Sequence, residues 1–234
     1  VNTIIEDAQG FLWIGTNGGL DQFDSASETF THFINDAENT NSISNNVIRV
    51  IFEDRSGNLW IGTDEGLNCY DPNSKSFLHY VNDSDDAGSL SSNQVRTIFQ
   101  DNGGVIWIGT SAGGLSTYDV TEKSFTHYDY DPGDENSLSS NLVFAIFEDD
   151  AEILWVGTGG GGVDRLSRNM DIYTHYQHDP EDPSSLSDNF VTAVFVDRLG
   201  VLWAGTANGG LNVQDRFTGE FKHYRHDETD FGSL

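Results

Sequence analysis

The chain has 234 residues, 36% apolar and 12% aromatic, enough to bury a sizeable core and too apolar for a disordered segment. Eleven basic residues face 38 acidic ones, a net charge of -27 that repels phosphate backbones and anionic lipid and so disfavours nucleic-acid and direct membrane partners. A single cysteine, Cys69, excludes an internal disulfide or a thiolate metal cluster, and no apolar run approaches the roughly 20 residues of a membrane-spanning helix.

The five tryptophans, Trp13, Trp60, Trp107, Trp155 and Trp203, recur at intervals of 47, 47, 48 and 48 residues. Each is followed by a Gly-Thr pair and preceded, six residues earlier, by Asp7, Asp54, Asp101, Asp149 or Asp197. His32, His79, His127, His175 and His223 trail in the same register. The chain is therefore five copies of one unit, at about 1–47, 48–94, 95–142, 143–190 and 191–234, expected to form a single domain. Its start, "VNTIIEDAQG", has neither an initiator methionine nor a basic leader, as expected for part of a longer chain.

Taken in order through the third copy, "VRTIFQD", "VIWIGT", "GLSTYD" and "SFTHYDY" alternate with period two and predict four strands. Alternation places Val95, Thr97 and Phe99 on one side of the first strand and Ile98 on the other. Short turns join the strands as antiparallel hairpins, and a polar stretch such as "DPGDENSLSSN" leads to the next copy. Four short antiparallel strands at this period predict an all-β fold, a β-propeller of five four-stranded blades, with a five-blade segment of a larger propeller as the alternative.

In the fourth copy, "VGTGGGGVD" carries Gly157, Gly159 and Gly162 at the G-x-G-x-x-G spacing of nucleotide loops. Its sister copies read "IGTNGGLD" and "IGTDEGLN", each followed by a strand instead of a helix, which predicts a hairpin link and no phosphate cradle.

The stretch "GNLWIGTDEGLNCYD", Gly57 to Asp71, with "SLSSN" before the next copy, resembles the two-component regulator propeller repeat. The resemblance covers the whole chain. It implies an extracytoplasmic, periplasmic sensor region of a signal-transduction protein, often carbohydrate-responsive, and normally a ring of more than five blades. The fourth copy departs from the pattern, with Glu152 at the turn glycine and Leu166-Ser167 in place of an aromatic-Asp pair. No ligand residue is fixed by the repeat motif.

Residues present in every copy serve what every blade needs. On that ground the five histidines are structural hydrogen-bonding groups, the aspartates cap turn amides, and Thr63 and its counterparts bond neighbouring strands. His178 and His226, present in two copies, are expected at the surface. The acidic runs "NDSDDAG" and "DYDPGDE" lack EF-hand spacing and are expected to be solvated links. No metal or other cofactor is called for.

Recognition is instead expected from positions that vary between copies and share one end of the blades. These are Asn17, Asp64, Glu65, Ser111 and Asn208 in the links between second and third strands, with Asn2, Arg49, Arg96, Phe144 and Thr192 at the second position of each first strand. Two arginines, a phenylalanine and amides there suit an anionic or hydroxyl-rich ligand, a glycan or other small molecule; a protein partner is the other expectation. The functional reading is a non-catalytic sensor or ligand-binding propeller. Its rivals are a carbohydrate-active enzyme, for which Asp64 and Glu65 lie adjacent and make no opposed pair, and a lectin with one sugar site per blade.

Overall fold

The computed structural model describes residues 1–167 and 172–234. It is all-β, with twenty strands in five antiparallel four-stranded sheets, each coinciding with one repeat and ordered as its strands follow in the chain. Blade 1 comprises β1 (Thr3–Glu6), β2 (Phe11–Gly15), β3 (Leu20–Asp24) and β4 (Thr29–Phe33). Blade 2 comprises β5 (Ile48–Glu53), β6 (Leu59–Thr63), β7 (Gly66–Asp71) and β8 (Ser76–Tyr80), and blade 3 β9 (Val95–Gln100), β10 (Ile106–Thr110), β11 (Leu115–Asp119) and β12 (Ser124–Tyr128). Blade 4 has β13 (Val143–Glu148), β14 (Ile153–Thr158), β15 (Gly162–Ser167) and β16 (Ile172–Tyr176). Blade 5 has β17 (Val191–Val196), β18 (Leu202–Thr206), β19 (Gly210–Gln214) and β20 (Phe221–Tyr224). The link after β15 lies outside the described residues.

Two compact units contain these blades: Val1–Ala112 with Ser116–His127, and Gly113–Leu115 with Tyr128–Leu234. Within the first, Trp13 of blade 1 is buried among Ile48, Ile51, Leu59, Ile61, Tyr70 and Phe77 of blade 2. Trp60 of blade 2 is likewise buried among Ile98, Ile106, Ile108, Tyr118 and Phe125 of blade 3. Within the second unit, Trp155 lies with Val191, Leu202, Ala204 and Phe221. Each such tryptophan removes about 150–250 Å² from water, roughly 4–6 kcal/mol as an upper bound.

The glycine after the tryptophan makes this stacking possible. A Cβ on Gly62 would stand 2.6 Å from both Val50 Cγ1 and Val95 Cγ1, inside any tolerable contact. The turn between first and second strands needs a left-handed residue, supplied by Gly10, Gly57, Gly104 and Gly200 with φ between 75° and 88°. Glu152 adopts the same conformation at φ 60° without being glycine, so blade 4 keeps the turn at some cost in strain.

Alternation along the first strand is corrected by the structure. A register shift lies opposite Gly109/Thr110, where Val95 pairs Thr110 and Thr97 pairs Gly109, leaving Arg96 as an extra residue. Shifts of the same kind fall at Arg49, Phe144 and Thr192. This bulge resets the face, so Val95 and Ile98, expected on opposite sides, both join the cluster around Trp60.

Candidate functional site

The residues that recur are consumed by the architecture. In blade 2 the Asp54 carboxylate accepts the Ser56 and Asn58 amides at 2.9 Å each, the Asn58 Nδ2 at 2.8 Å and the Trp60 indole N–H at 2.9 Å. Burial opposes its charge, but the donors from Trp60, Asn58 and Ser56 outweigh that and hold its pKa below the ordinary value. The indole N–H donates in the same way from Trp13 to Asp7, Trp107 to Asp101, Trp155 to Asp149 and Trp203 to Asp197, at 2.7 to 3.1 Å. Turn capping was legible in the sequence. The indole bond, signalled by the fixed six-residue spacing, was not drawn from it.

The threonines close the next hairpin, Thr63 Oγ1 donating to the Gly66 carbonyl at 2.9 Å, with equivalent bonds from Thr16, Thr158 and Thr206. His32 and His127 bond the third strand of their own blade, at Asp21 and Ser116, whereas the other three histidines fasten the link that precedes theirs. His79 Nε2 meets the Ser42 carbonyl at 2.6 Å and His223 Nε2 that of Ser185 at 2.7 Å. His175 bonds the Glu135 carbonyl and, through Nδ1, the buried Asp164 carboxylate at 2.7 Å. That carboxylate raises the His175 pKa, against the opposing effect of burial. His178 and His226 are exposed, as expected, and each is also bonded: His178 Nδ1 meets the Leu186 carbonyl at 2.6 Å, the role Asn82 plays toward Leu90, and His226 Nδ1 meets the Leu234 carbonyl at 2.9 Å. The acidic links fold on themselves too, Asp83 capping the Asp85 amide and Asp131 that of Gly133.

The glycine run Gly159–Gly162 joins β14 to β15, and the Gly160 and Gly162 amides both donate to the Asn189 carbonyl. Those donors are turned into the fold, as expected of a hairpin link.

In the three blades of the first unit the variable positions pair, the residue at the head of the first strand meeting the link fifteen residues on. Asn2 Nδ2 donates to Asn17 Oδ1 at 2.7 Å and to the Ile48 carbonyl at 2.8 Å. Arg49 makes a bidentate pair with Asp64, Nε to Oδ1 at 2.8 Å and Nη2 to Oδ2 at 2.7 Å. Arg96 Nε donates to Ser111 Oγ at 2.6 Å, and its terminal nitrogens take no hydrogen bond among the described residues. The Arg49 hydrogen bonds lead in lowering the Asp64 pKa against burial, with Arg96 contributing through space. Glu65 is exposed, its amide held by Thr63 Oγ1 at 3.0 Å. Since β1 packs on β5 and β5 on β9, the Asn2, Arg49 and Arg96 pairs stand side by side at one end of the first unit.

In the second unit the same positions carry different chemistry. Phe144 packs against Phe190 with ring centroids 5.0 Å apart, and Thr192 Oγ1 reaches the Gly205 carbonyl at 3.4 Å. Asn208 donates its amide and Nδ2 to Asp188 Oδ2 at 3.1 and 3.2 Å. Asp188 and Phe190, absent from the sequence expectations, are the residues missed; both sit in the link before β17, which no strand pattern marks.

A model of the two component regulator propeller matches residues 1–18, 42–65, 89–112, 137–160 and 185–208, once in each repeat. The chain belongs to this repeat family. The propeller is similar to the extracellular domain assigned to a hybrid two component system, BT3049, of B. thetaiotaomicron, at 28% identity and TM-score 0.80 over 94% of this chain and 29% of that one. It is also similar to the extracellular domain assigned to a one component system, BT4673, of the same organism, at 26% identity and TM-score 0.75 over 97% of this chain and 31% of that one. The propeller thus spans under a third of either of those chains. A catalytically inactive virginiamycin B lyase of Staphylococcus aureus shares the fold alone, at 10% identity and TM-score 0.66 over 94% of this chain and 68% of that one. No curated protein matches.

Proposed function

We propose that this propeller is a non-catalytic sensing module, part of the extracytoplasmic input region of a signal-transduction protein, and that it binds its ligand at the link end of the first-strand bulges. One observation carries the reading. The aspartates, threonines and tryptophans shared by the repeats are spent on caps, turns and packing, whereas the position that varies, Arg49, Arg96, Phe144 or Thr192, is raised on a bulge at the link end of its own blade. Bulges re-aim side chains at the rims of sheets. The likeness to extracellular domains of two-component and one-component systems supports the sensor role and the location, with the periplasm as the expected compartment.

Arg96, with its terminal nitrogens open beside the Arg49–Asp64 pair, favours a carboxylate-bearing or hydroxyl-rich ligand such as a sugar acid. The lowered Asp64 pKa weighs against the glycosidase reading, since a carboxylate held ionised by a guanidinium is a poor general acid. A thermal-shift screen against neutral glycans and sugar acids, run beside a hydrolysis assay on the same panel, tests this. Stabilisation by an acidic glycan that Arg96→Ala removes, with no turnover, supports the sensor. Turnover lost in Asp64→Asn or Glu65→Gln establishes an enzyme instead, and one site per blade a lectin.

A further inference from the structure

At the opposite end of the blades, the turns between first and second strands are tied to their neighbours in the first unit. The Ala8 amide donates to Glu53 Oε2 at 2.8 Å, and the Arg55 amide to Gln100 Oε1 at 2.9 Å. In each case the residue after the turn aspartate bonds the last side chain of the next blade's first strand. Between blades 4 and 5 the corresponding residues are Asp150 and Val196, and valine offers no acceptor. A cavity of about 600 Å³ lies there, within the second unit, lined by Phe147, Asp150, Phe195, Arg198, Leu199 and Arg216 among others.

Its lining carries three kinds of chemistry. Phe147 and Phe195 meet edge to face, with centroids 5.3 Å apart, and Phe195 and Leu199 remain 52% and 70% exposed among the described residues, an apolar surface. Arg198 and Arg216, two of only eleven basic residues, lie within 4 Å of no carboxylate oxygen among the described residues, and Arg216 acts on Asp197 only through space. Arg216 keeps one Nη donor on the Leu199 carbonyl and rests over the Phe217 ring. Asp150 is exposed, while the flanking Asp149 and Asp197 are occupied by the tryptophan indoles and turn amides.

We propose that this cavity is a second binding site, independent of the link-end site, for a free aromatic α-amino acid. The ring packs on Phe147, Phe195 and Leu199; the carboxylate is held by Arg198 and Arg216; the ammonium is held by Asp150. An anion alone leaves Asp150 unpaired and an amine alone leaves the guanidiniums unpaired. Only a ligand bearing both charges beside an aromatic face uses the whole lining.

Calorimetric titration of the propeller with L-phenylalanine, phenylacetate and 2-phenylethylamine tests the proposal. The expected result is saturable 1:1 binding of L-phenylalanine, weakened at least about tenfold when either charge is absent from the probe and to a similar degree in Arg216→Gln, Asp150→Asn and Phe195→Ala. Val196→Gln, which restores the tie made by Gln100, should also abolish binding, and Arg96→Ala should leave it intact. No saturation at low-millimolar L-phenylalanine, equal binding of the truncated probes, or binding indifferent to Arg216 and Asp150 overturns it. Circular dichroism of each variant separates a lost site from a lost fold.

Discussion

Asp54→Asn probes the bond that joins the first hairpin to the inter-blade core. In the native protein one carboxylate oxygen serves the Ser56 and Asn58 amides and the other serves the Asn58 side chain and the Trp60 indole. Asparagine keeps one acceptor. Its amide nitrogen then faces either the two backbone donors or the indole, donor against donor. Trp60 is 3% exposed, so an unmet indole N–H there costs about 1–3 kcal/mol, and the bonds that survive lose their charge assistance. A loss of about 2–4 kcal/mol follows, read by urea unfolding followed both by tryptophan fluorescence and by circular dichroism, because repeat arrays need not unfold in one step. Trp60→Phe removes the donor, so the Asp54→Asn/Trp60→Phe cycle isolates the pair, with an expected coupling of about 1–2 kcal/mol. The native carboxyl sits below its ordinary 3.8, so its contribution is complete above that value and is lost as pH falls through the folded value. The asparagine variant lacks this part of the acid sensitivity. A change under about 0.5 kcal/mol, or a cycle with no coupling, would refute the reasoning.

Gly62→Ala places a methyl 2.6 Å from Val50 and Val95, and overpacking of this kind should lower stability by about 1–3 kcal/mol in the same urea assay. Cys69 is held by burial, and then by the charges of Asp54 and Asp71, at a pKa of about 11. A thiol-exchange reagent at neutral pH should therefore label it slowly in the folded protein and fast in urea, and equal rates would contradict its half-buried placement in β7. His175 is raised above 6.5 by Asp164, so the stability that the pair adds is fully present below the ordinary histidine range and is lost as pH rises through the folded value. Titration of the His175 ring protons by NMR should show that elevation, and Asp164→Asn should remove it.

The strands, their order and the burial of tryptophan were legible because each is written five times, and repetition separates architecture from accident. The bulge was not, although it too recurs. Periodicity reports alternation, and a bulge interrupts alternation without leaving a residue type of its own: its extra position is Arg49, Arg96, Phe144 or Thr192. The side chains at that position are free to differ for a physical reason. An extra residue is outside the ladder, so its side chain is excused from inter-blade packing and constrained only by what lies at the sheet's end. These same residues are the ones that vary between copies in the sequence, and the backbone supplies the mechanism by which they can. The partners those residues take depended on distances no pattern encodes. That Arg49 is neutralised by Asp64 while Arg96 is steadied by a hydroxyl makes the second arginine the more available cation of the two, a distinction two identical letters in a sequence do not carry.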